Sequence, residues 1–306
     1  MENTQAANSV SAGIALREGW NFAKKNYGKL FLIFLVGGLI IGAVTGITYG
    51  IAALSNTAMY GWMHNSGLLM IVVTILNVIL TSIYFAVIFL VDFPIYVGIF
   101  SAVKKGMAGE QFDVADIFTP FKTNYKNVVL TGMAVVGILL ATMVTAFGIL
   151  GGLESFLYRL SHDNFIPLFG GLVPLYYIAA FAFIFVINIF LLYAYLIVID
   201  TDMKAGKVIS RSFAYGRKYL KPTLLYVLAF IGVAVVVSLA MGIIIGIFTF
   251  IDFAVMQAAN MSVPIFSIIS AVIAVIGMIL IMPVIGGWSY GTCTHLYLQI
   301  KKNNPS

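Results

Sequence analysis

Two asparagines and one aspartate interrupt the long apolar stretches of this sequence. They are Asn77, Asp92 and Asn188, and of the three only Asp92 can carry a charge. An ionisable residue inside a membrane segment often marks a path for an ion, a proton or a substrate. Asp92 also lies two residues before Pro94, and a proline within a helix leaves a backbone carbonyl without its usual donor. The three polar residues are therefore a candidate intramembrane polar site.

A second interpretation of these residues stays open. About 20 residues cross the hydrocarbon core of a bilayer, so a span that begins at Leu68 leaves that core near Val87. Asp92 would then lie at the level of the lipid headgroups and would need no function. Asn77 and Asn188 would then form hydrogen bonds between helices.

The sequence shows no pattern typical of an enzyme or a metal centre. Its three histidines, His64, His162 and His295, are far apart in the chain, and its single cysteine, Cys293, cannot form an intramolecular disulfide. It lacks the G-x-x-x-x-G-K-[ST], H-E-x-x-H and C-x-x-C motifs. A G-x-S-x-G match, Gly287–Gly291, lies inside the last apolar stretch, without the strand-to-helix turn that this motif needs in an enzyme. We therefore expect no enzymatic activity, no catalytic residues, no cofactor and no metal.

The composition indicates that lipid covers most of the surface. The chain is 61% hydrophobic and 9% charged, with a mean hydropathy of +1.05, whereas soluble domains carry about 25% charged residues. Six apolar stretches are long enough to cross a bilayer. We predict an all-α polytopic protein with one integral membrane domain, 1–306, and six transmembrane helices, near 30–54, 68–100, 128–151, 174–199, 223–251 and 264–292.

The basic residues predict the orientation of these spans. If both termini lie on one side, sixteen of the 17 Lys and Arg residues share that side and only Arg159 lies opposite. Such a bias is typical of cytoplasmic loops. We therefore expect a multi-pass protein of the cytoplasmic (inner) membrane with both termini in the cytoplasm. The net charge of +6 then reflects topology and attraction to anionic headgroups, with no nucleic-acid partner.

A tyrosine that follows a basic and aromatic stretch recurs three times. Tyr27, Tyr125 and Tyr219 are 98 and 94 residues apart, and each precedes an apolar span. Regular spacing of this kind predicts internal repeats. We expect three helix-hairpin repeats, each preceded by a cytoplasmic interfacial amphipathic helix, over about 14–100, 110–200 and 204–299.

The first interfacial helix is predicted from its apolar positions. Leu16, Trp20, Ala23, Tyr27 and Leu30 recur at intervals of three and four residues, which places them on one helical face. A basic amphipathic helix with aromatic residues lies in the plane of the membrane interface. For the three interfacial helices we predict lipid-headgroup contacts by Trp20, Lys24, Lys25, Lys122, Lys126, Arg211 and Lys218.

The second interfacial helix has a recognisable start. Asp113 and Asp116 have the spacing of a capping box, with aspartate in place of glutamate. We expect a helix to begin there and to be interrupted at Pro120.

Four glycines follow one another at intervals of four residues in the first span. Because they present no side chain along one stripe, another helix could pack closely against it. We predict helix packing at Gly38, Gly42, Gly46 and Gly50.

Some short segments are similar to a known group of proteins. Leu16-Arg-Glu-Gly-Trp20, Lys24-Lys25-Asn26-Tyr27, Gly109-Glu-Gln-Phe112 and Asp116-Ile-Phe118 resemble a loose group of poorly characterised bacterial six-helix membrane proteins. That group is related to the membrane domain of glycerophosphodiester phosphodiesterases. The resemblance implies a six-helix layout. It implies no phosphodiesterase activity, since no such domain is present, and the group offers no catalytic residues to transfer.

Two functions fit these observations. The first is a membrane scaffold that organises lipids or partner membrane proteins, which the scarcity of intramembrane charge favours. The second is a transporter or exporter of a hydrophobic or amphiphilic solute, whose path would use Asn77, Asp92 and Asn188 with kinks at Pro94 and Pro283.

Overall fold

The chain folds into helices. The computed structural model describes residues 10–62, 67–160, 166–259 and 265–304, and within these ranges it contains no β-strand. The α-helices are α1 (Ala12–Lys25), α2 (Tyr27–Trp62), α3 (Gly67–Val87), α4 (Phe93–Met107), α5 (Thr119–Thr123), α6 (Tyr125–Leu160), α7 (Ile166–Leu191), α8 (Ala194–Asp200), α9 (Ala205–Lys218), α10 (Leu220–Ala259) and α11 (Ile265–Asn303). A π-helical turn, Ile88–Asp92, joins α3 to α4, and a 3₁₀ segment, Val114–Phe118, precedes α5.

Among the described residues, six helical segments are long and apolar enough to cross a membrane, which confirms the prediction of an all-α, multi-pass protein. Large apolar side chains on them are open, with Phe250 and Val144 being 73% and 71% exposed. Soluble monomers rarely present wide apolar surfaces, so lipid is the natural cover. The segments are Tyr27–Ile47, Thr74–Met107, Tyr125–Ile149, Tyr177–Asp200, Leu220–Val255 and Val275–Asn303.

The chain divides into two compact units. The first combines Met1–Ala43, Gly98–Ile117 and Lys221–Ser306, and the second combines Val44–Val97 with Phe118–Leu220.

In the first unit, α1 packs along α11 so closely that the backbones of the two helices are in contact. A Cβ atom at Gly19 would lie 2.6 Å from the Thr292 amide nitrogen and 2.9 Å from the Trp288 carbonyl oxygen. The Trp288 indole N–H donates to the Leu16 carbonyl over 2.8 Å. The Trp20 and Trp288 rings meet edge to face, 5.3 Å apart. Gly19 is thus needed for α1 to lie against α11.

The buried face of α1 differs from the predicted one by about one residue. Trp20, placed on the apolar face by its spacing, is 38% exposed, and Tyr27 is 36% exposed. The physical reason is size: small residues let α11 come close, and a Cβ at Gly291 would lie 3.2 Å from the Gly19 Cα. The buried residues of α1 are Ala12, Ala15, Gly19, Phe22 and Ala23.

In the second unit, α9 packs against the end of α7 by a similar device. A Cβ at Gly216 would lie 2.8 Å from the Phe190 Cα. The Ser212 hydroxyl donates to the Phe190 carbonyl over 2.7 Å, which satisfies a group that the end of α7 leaves without a helical donor. The residues that α9 buries are Val208, Ile209, Ser212, Tyr215 and Gly216.

The predicted capping box is confirmed. The Asp113 amide donates to the Asp116 carboxylate over 2.9 Å, and the Ala115 amide donates to the Asp113 carboxylate over 2.8 Å. Asp116 also forms an ion pair with Lys105. Pro120 does not interrupt a helix, because it stands in the first turn of α5, where a proline has no helical hydrogen bond to lose.

The glycine stripe of the first span has no neighbour in the part of the chain that the structure describes. No described heavy atom beyond α2 itself lies within 4 Å of a Cβ built at Gly38, Gly42, Gly46 or Gly50. The packing prediction for this stripe therefore finds no partner helix there. The close contacts fall on Gly19 and Gly291 instead.

Candidate functional site

Asp92 is buried in the second unit and holds one hydroxyl group. Its side chain is 5% exposed. The Thr45 hydroxyl donates to Asp92 Oδ2 over 2.9 Å, whereas Oδ1 is buried and has no hydrogen-bond partner among the described residues. The carboxylate is therefore enclosed by protein.

The π-helical turn beside Asp92 follows from Pro94. Here the Phe93 amide donates to the Ile88 carbonyl, five residues back. Pro94 has no N–H, so the carbonyl of Leu90, four residues before it, loses its usual donor. The Tyr125 hydroxyl replaces that donor over 2.9 Å. Such replacement is how a membrane helix tolerates proline.

The first unit contains a comparable contact. The Tyr27 hydroxyl donates to the carbonyl of Leu280 over 3.2 Å, three residues before Pro283 of α11. Tyr27 and Tyr125 hold equivalent places in the predicted repeats, and each binds a carbonyl three or four residues before a proline. Only the Tyr125 contact replaces a bond lost to proline, because Pro283 frees the carbonyl of Ile279. Sequence reasoning treated these tyrosines as interfacial markers and missed this role. The sequence features that could have indicated this role are the regular spacing of the tyrosines and the two prolines within apolar spans, Pro94 and Pro283.

Among the described side chains, no asparagine of the predicted polar site forms a hydrogen bond with Asp92. Asn77 lies in α3, but its side chain is outside the described part of the structure. Fifteen residues of continuous helix place it about 22 Å along the axis from Asp92, at about 1.5 Å per residue. Asn188 is exposed on α7. Asp92 pairs instead with Thr45, which the sequence did not single out.

The predicted headgroup residues of α1 stand on an aromatic support. Lys24 is exposed, and its amino group lies 5.4 Å from the centre of the Trp20 ring, within the range of a cation–π interaction. Trp20 packs against Trp288. Lys25 is exposed beside them. The amino group of Lys24 and the partly exposed indole of Trp20 therefore lie together at the end of α1.

The predicted headgroup residues of the second unit divide into two kinds. Lys122 and Lys126 are exposed, and Lys218 is exposed with its amino group 5.4 Å from the centre of the Tyr219 ring. Arg211 is half-buried, and its Nε donates to the Tyr215 hydroxyl of the same helix over 2.9 Å. The guanidinium group of Arg211 therefore supports the fold of α9 and is less available to lipid than the lysines.

A cavity of about 420 Å³ opens in the first unit between α1, the start of α2, the loop after α4, and α11. We call it the charged cavity. Sequence reasoning missed it, since its lining comes from three distant segments. Of the lining residues, only Lys25 had been predicted as a site residue. Its lining residues are Glu18, Asn21, Phe22, Lys25, Asn26, Lys29, Gly106, Met107, Gly109, Glu110, Gln111, Phe112 and His295.

Among the described residues, no group of three His, Cys, Asp or Glu side chains could hold a metal ion. No family model, curated protein or solved structure matches the chain. The function is therefore argued from the geometry of these side chains.

Proposed function

We propose that this chain is a membrane scaffold that binds lipid headgroups, and through them organises the membrane or partner membrane proteins, and that it is not an enzyme. The observation that carries the proposal is the exposed Lys24 amino group stacked on Trp20. Tryptophan prefers the interface between headgroups and acyl chains, and lysine attracts anionic lipid.

The arrangement of the remaining charges supports the same function. Lys24 and Lys25 lie in the last turn of α1, and Arg217 and Lys218 lie in the last turn of α9. Cations at this end of a helix interact favourably with its dipole, by about 0.3–1 kcal/mol each. The proposal places these ends at the cytoplasmic face of the inner membrane, with both termini in the cytoplasm and α1, α5 and α9 as interfacial amphipathic helices.

The proposal also includes the organisation expected from the sequence. The chain would be one membrane domain of three repeats, akin in layout to the membrane domain of glycerophosphodiester phosphodiesterases. In support, a short helix precedes a long one three times: α1 before α2, α5 before α6, and α9 before α10.

The test is the dependence of stability on anionic lipid. A ligand that binds only the native state raises its stability, so phosphatidylglycerol nanodiscs should raise the melting temperature above its value in phosphatidylcholine. We expect the double variant Lys24→Gln, Lys25→Gln to lose at least half of that increase. The control Lys204→Gln, Lys207→Gln removes equal charge at positions outside the predicted contacts and should keep it. Equal losses in both variants would contradict the proposal.

One observation favours a transporter as the second candidate. Asp92 has an unpartnered buried oxygen next to a π-helical turn, and such turns are frequent at functional sites. If the chain moves a solute, Asp92→Asn should abolish movement at an unchanged protein level. If it is a scaffold, that variant should keep the response to phosphatidylglycerol.

A further inference from the structure

The charged cavity contains both signs of charge. Lys25 and Lys29 contribute amino groups, and Glu18 and Glu110 contribute carboxylates. Its volume of about 420 Å³ lies within the range of small-ligand sites, about 300–1,000 Å³. The lining therefore suits a ligand of small size with more than one charged group.

The amino groups of Lys25 and Lys29 form no ion pair with these carboxylates. Among the described residues, no carboxylate oxygen lies within 4.0 Å of the amino group of Lys25 or Lys29. The Lys29 amino group lies 5.1 Å from the centre of the Phe112 ring, and Phe112 is itself buried against Phe22, with ring centres 5.7 Å apart. A buried aromatic pair thus fixes Lys29 at the cavity.

The cavity is also held in shape by the contacts around it. A Cβ at Gly106 would lie 2.6 Å from the Phe112 ring, so this glycine lets the loop fold back on α4. Gly109 has a φ of 82°, a conformation that glycine adopts without strain, and it turns the chain toward Glu110. The loop therefore brings Glu110 and Phe112 to the same cavity as α1.

We infer that the charged cavity binds a phosphate–ammonium zwitterion of the phosphoethanolamine type. The amino groups of Lys25 and Lys29 contact the phosphate, and the carboxylates of Glu18 and Glu110 contact the ammonium. A lone phosphate would meet two carboxylates and a lone ammonium would meet two amino groups, and like charges of this kind select against the wrong ligand. The inference rests on the proposed function only in assigning the zwitterion to a lipid headgroup.

The binding test uses purified full-length protein in detergent and three soluble probes. Phosphoethanolamine, inorganic phosphate and ethanolamine are titrated by calorimetry at low salt. We expect phosphoethanolamine to bind at least tenfold more tightly than either single-charge probe. Lys29→Gln should weaken it at least fivefold, Glu18→Gln should weaken it without weakening phosphate, and the control Lys207→Gln should change nothing. Binding of phosphate alone, or no binding of any probe, would overturn the inference.

A second arm separates the lipid from the free compound. Nanodiscs of phosphatidylethanolamine and of phosphatidylglycerol are compared by melting temperature for wild type, Glu18→Gln and Lys29→Gln. A stabilisation by phosphatidylethanolamine that both variants lose identifies a lipid source. Binding of soluble phosphoethanolamine with no such stabilisation keeps the cavity but contradicts the lipid-organising function.

Discussion

Asp92 and the charged cavity show two ways in which this membrane protein holds charge. Asp92 is enclosed in the second unit, with Thr45 as its hydroxyl donor. The cavity of the first unit keeps Lys25, Lys29 and Glu110 exposed. An enclosed carboxylate can stabilise a fold or take part in the transport of a solute. Exposed charges of both signs can bind a ligand that arrives from the membrane interface. We therefore expect ligand binding at the helix ends and not at Asp92.

The largest expected effect comes from removing the support of the cavity. Gly19→Leu places a side chain against the backbone of α11, and overpacking of this kind costs about 1–3 kcal/mol or more. We expect loss of about 3 kcal/mol in the free energy of unfolding in detergent, together with loss of phosphoethanolamine binding. Gly42→Leu is the matched control and should change stability little, because Gly42 has no described neighbour. Equal destabilisation by the two variants would show that the stripe is packed as the sequence predicted.

A smaller loss of stability is expected from a change beside Asp92, the enclosed carboxylate. Thr45→Val removes the hydroxyl donor of Asp92, and an unsatisfied buried polar group costs about 1–3 kcal/mol. Headgroup binding should be unchanged. Thr142→Val is the control, since among the described residues the Thr142 hydroxyl donates only to the Ile138 carbonyl of its own helix. Chemical unfolding in detergent measures both, and no difference between them would show that the hydrogen bond of Asp92 is unimportant.

The two proline-linked tyrosines allow the units to be compared directly. Tyr27→Phe and Tyr125→Phe each remove one hydrogen bond to a carbonyl three or four residues before a proline. A typical hydrogen bond contributes about 0.5–1.5 kcal/mol. We expect Tyr125→Phe to cost more, since its contact is shorter and Tyr125 is half-buried. Thermal melting of the two variants checks the order, and a larger loss for Tyr27→Phe would reverse it.

The smallest effect concerns the loop that carries Glu110. Lys105 pairs with Asp116, but the Lys105 side chain is 40% exposed, and exposed pairs contribute only about 0–1 kcal/mol. Lys105→Gln should therefore lower stability by less than about 1 kcal/mol, and added salt should remove the difference. Lys126→Gln provides an exposed lysine without this pair. A loss above about 2 kcal/mol would mean that the pair determines the fold of the loop.

The sequence predicted the membrane helices well, because composition and the length of apolar runs depend on the bilayer and little on tertiary contacts. The Asp113–Asp116 cap was also predictable, since it forms within four residues. Contacts between distant segments were not. The contact between α1 and α11 depends on two glycines that are far apart in the chain, Gly19 and Gly291. The packing prediction at Gly42 rested on the regular spacing of glycines alone.

The candidate site was predictable only in part, for the same reason. Asp92 stood out because a carboxylate is rare in an apolar run, but its partner Thr45 lies 47 residues away. Lys25 was named for its charge. Nothing local links it to Glu110 or His295, which reach the cavity from the loop after α4 and from α11.

The most direct test of the account is the lipid that the protein retains through purification. Native mass spectrometry of wild type, Asp92→Asn and the double variant Lys25→Gln, Lys29→Gln would count the bound phospholipids. We expect wild type and Asp92→Asn to retain the same phospholipid and the double variant to lose it. Retention by the double variant together with loss in Asp92→Asn would contradict the central claim and assign the function to the enclosed carboxylate.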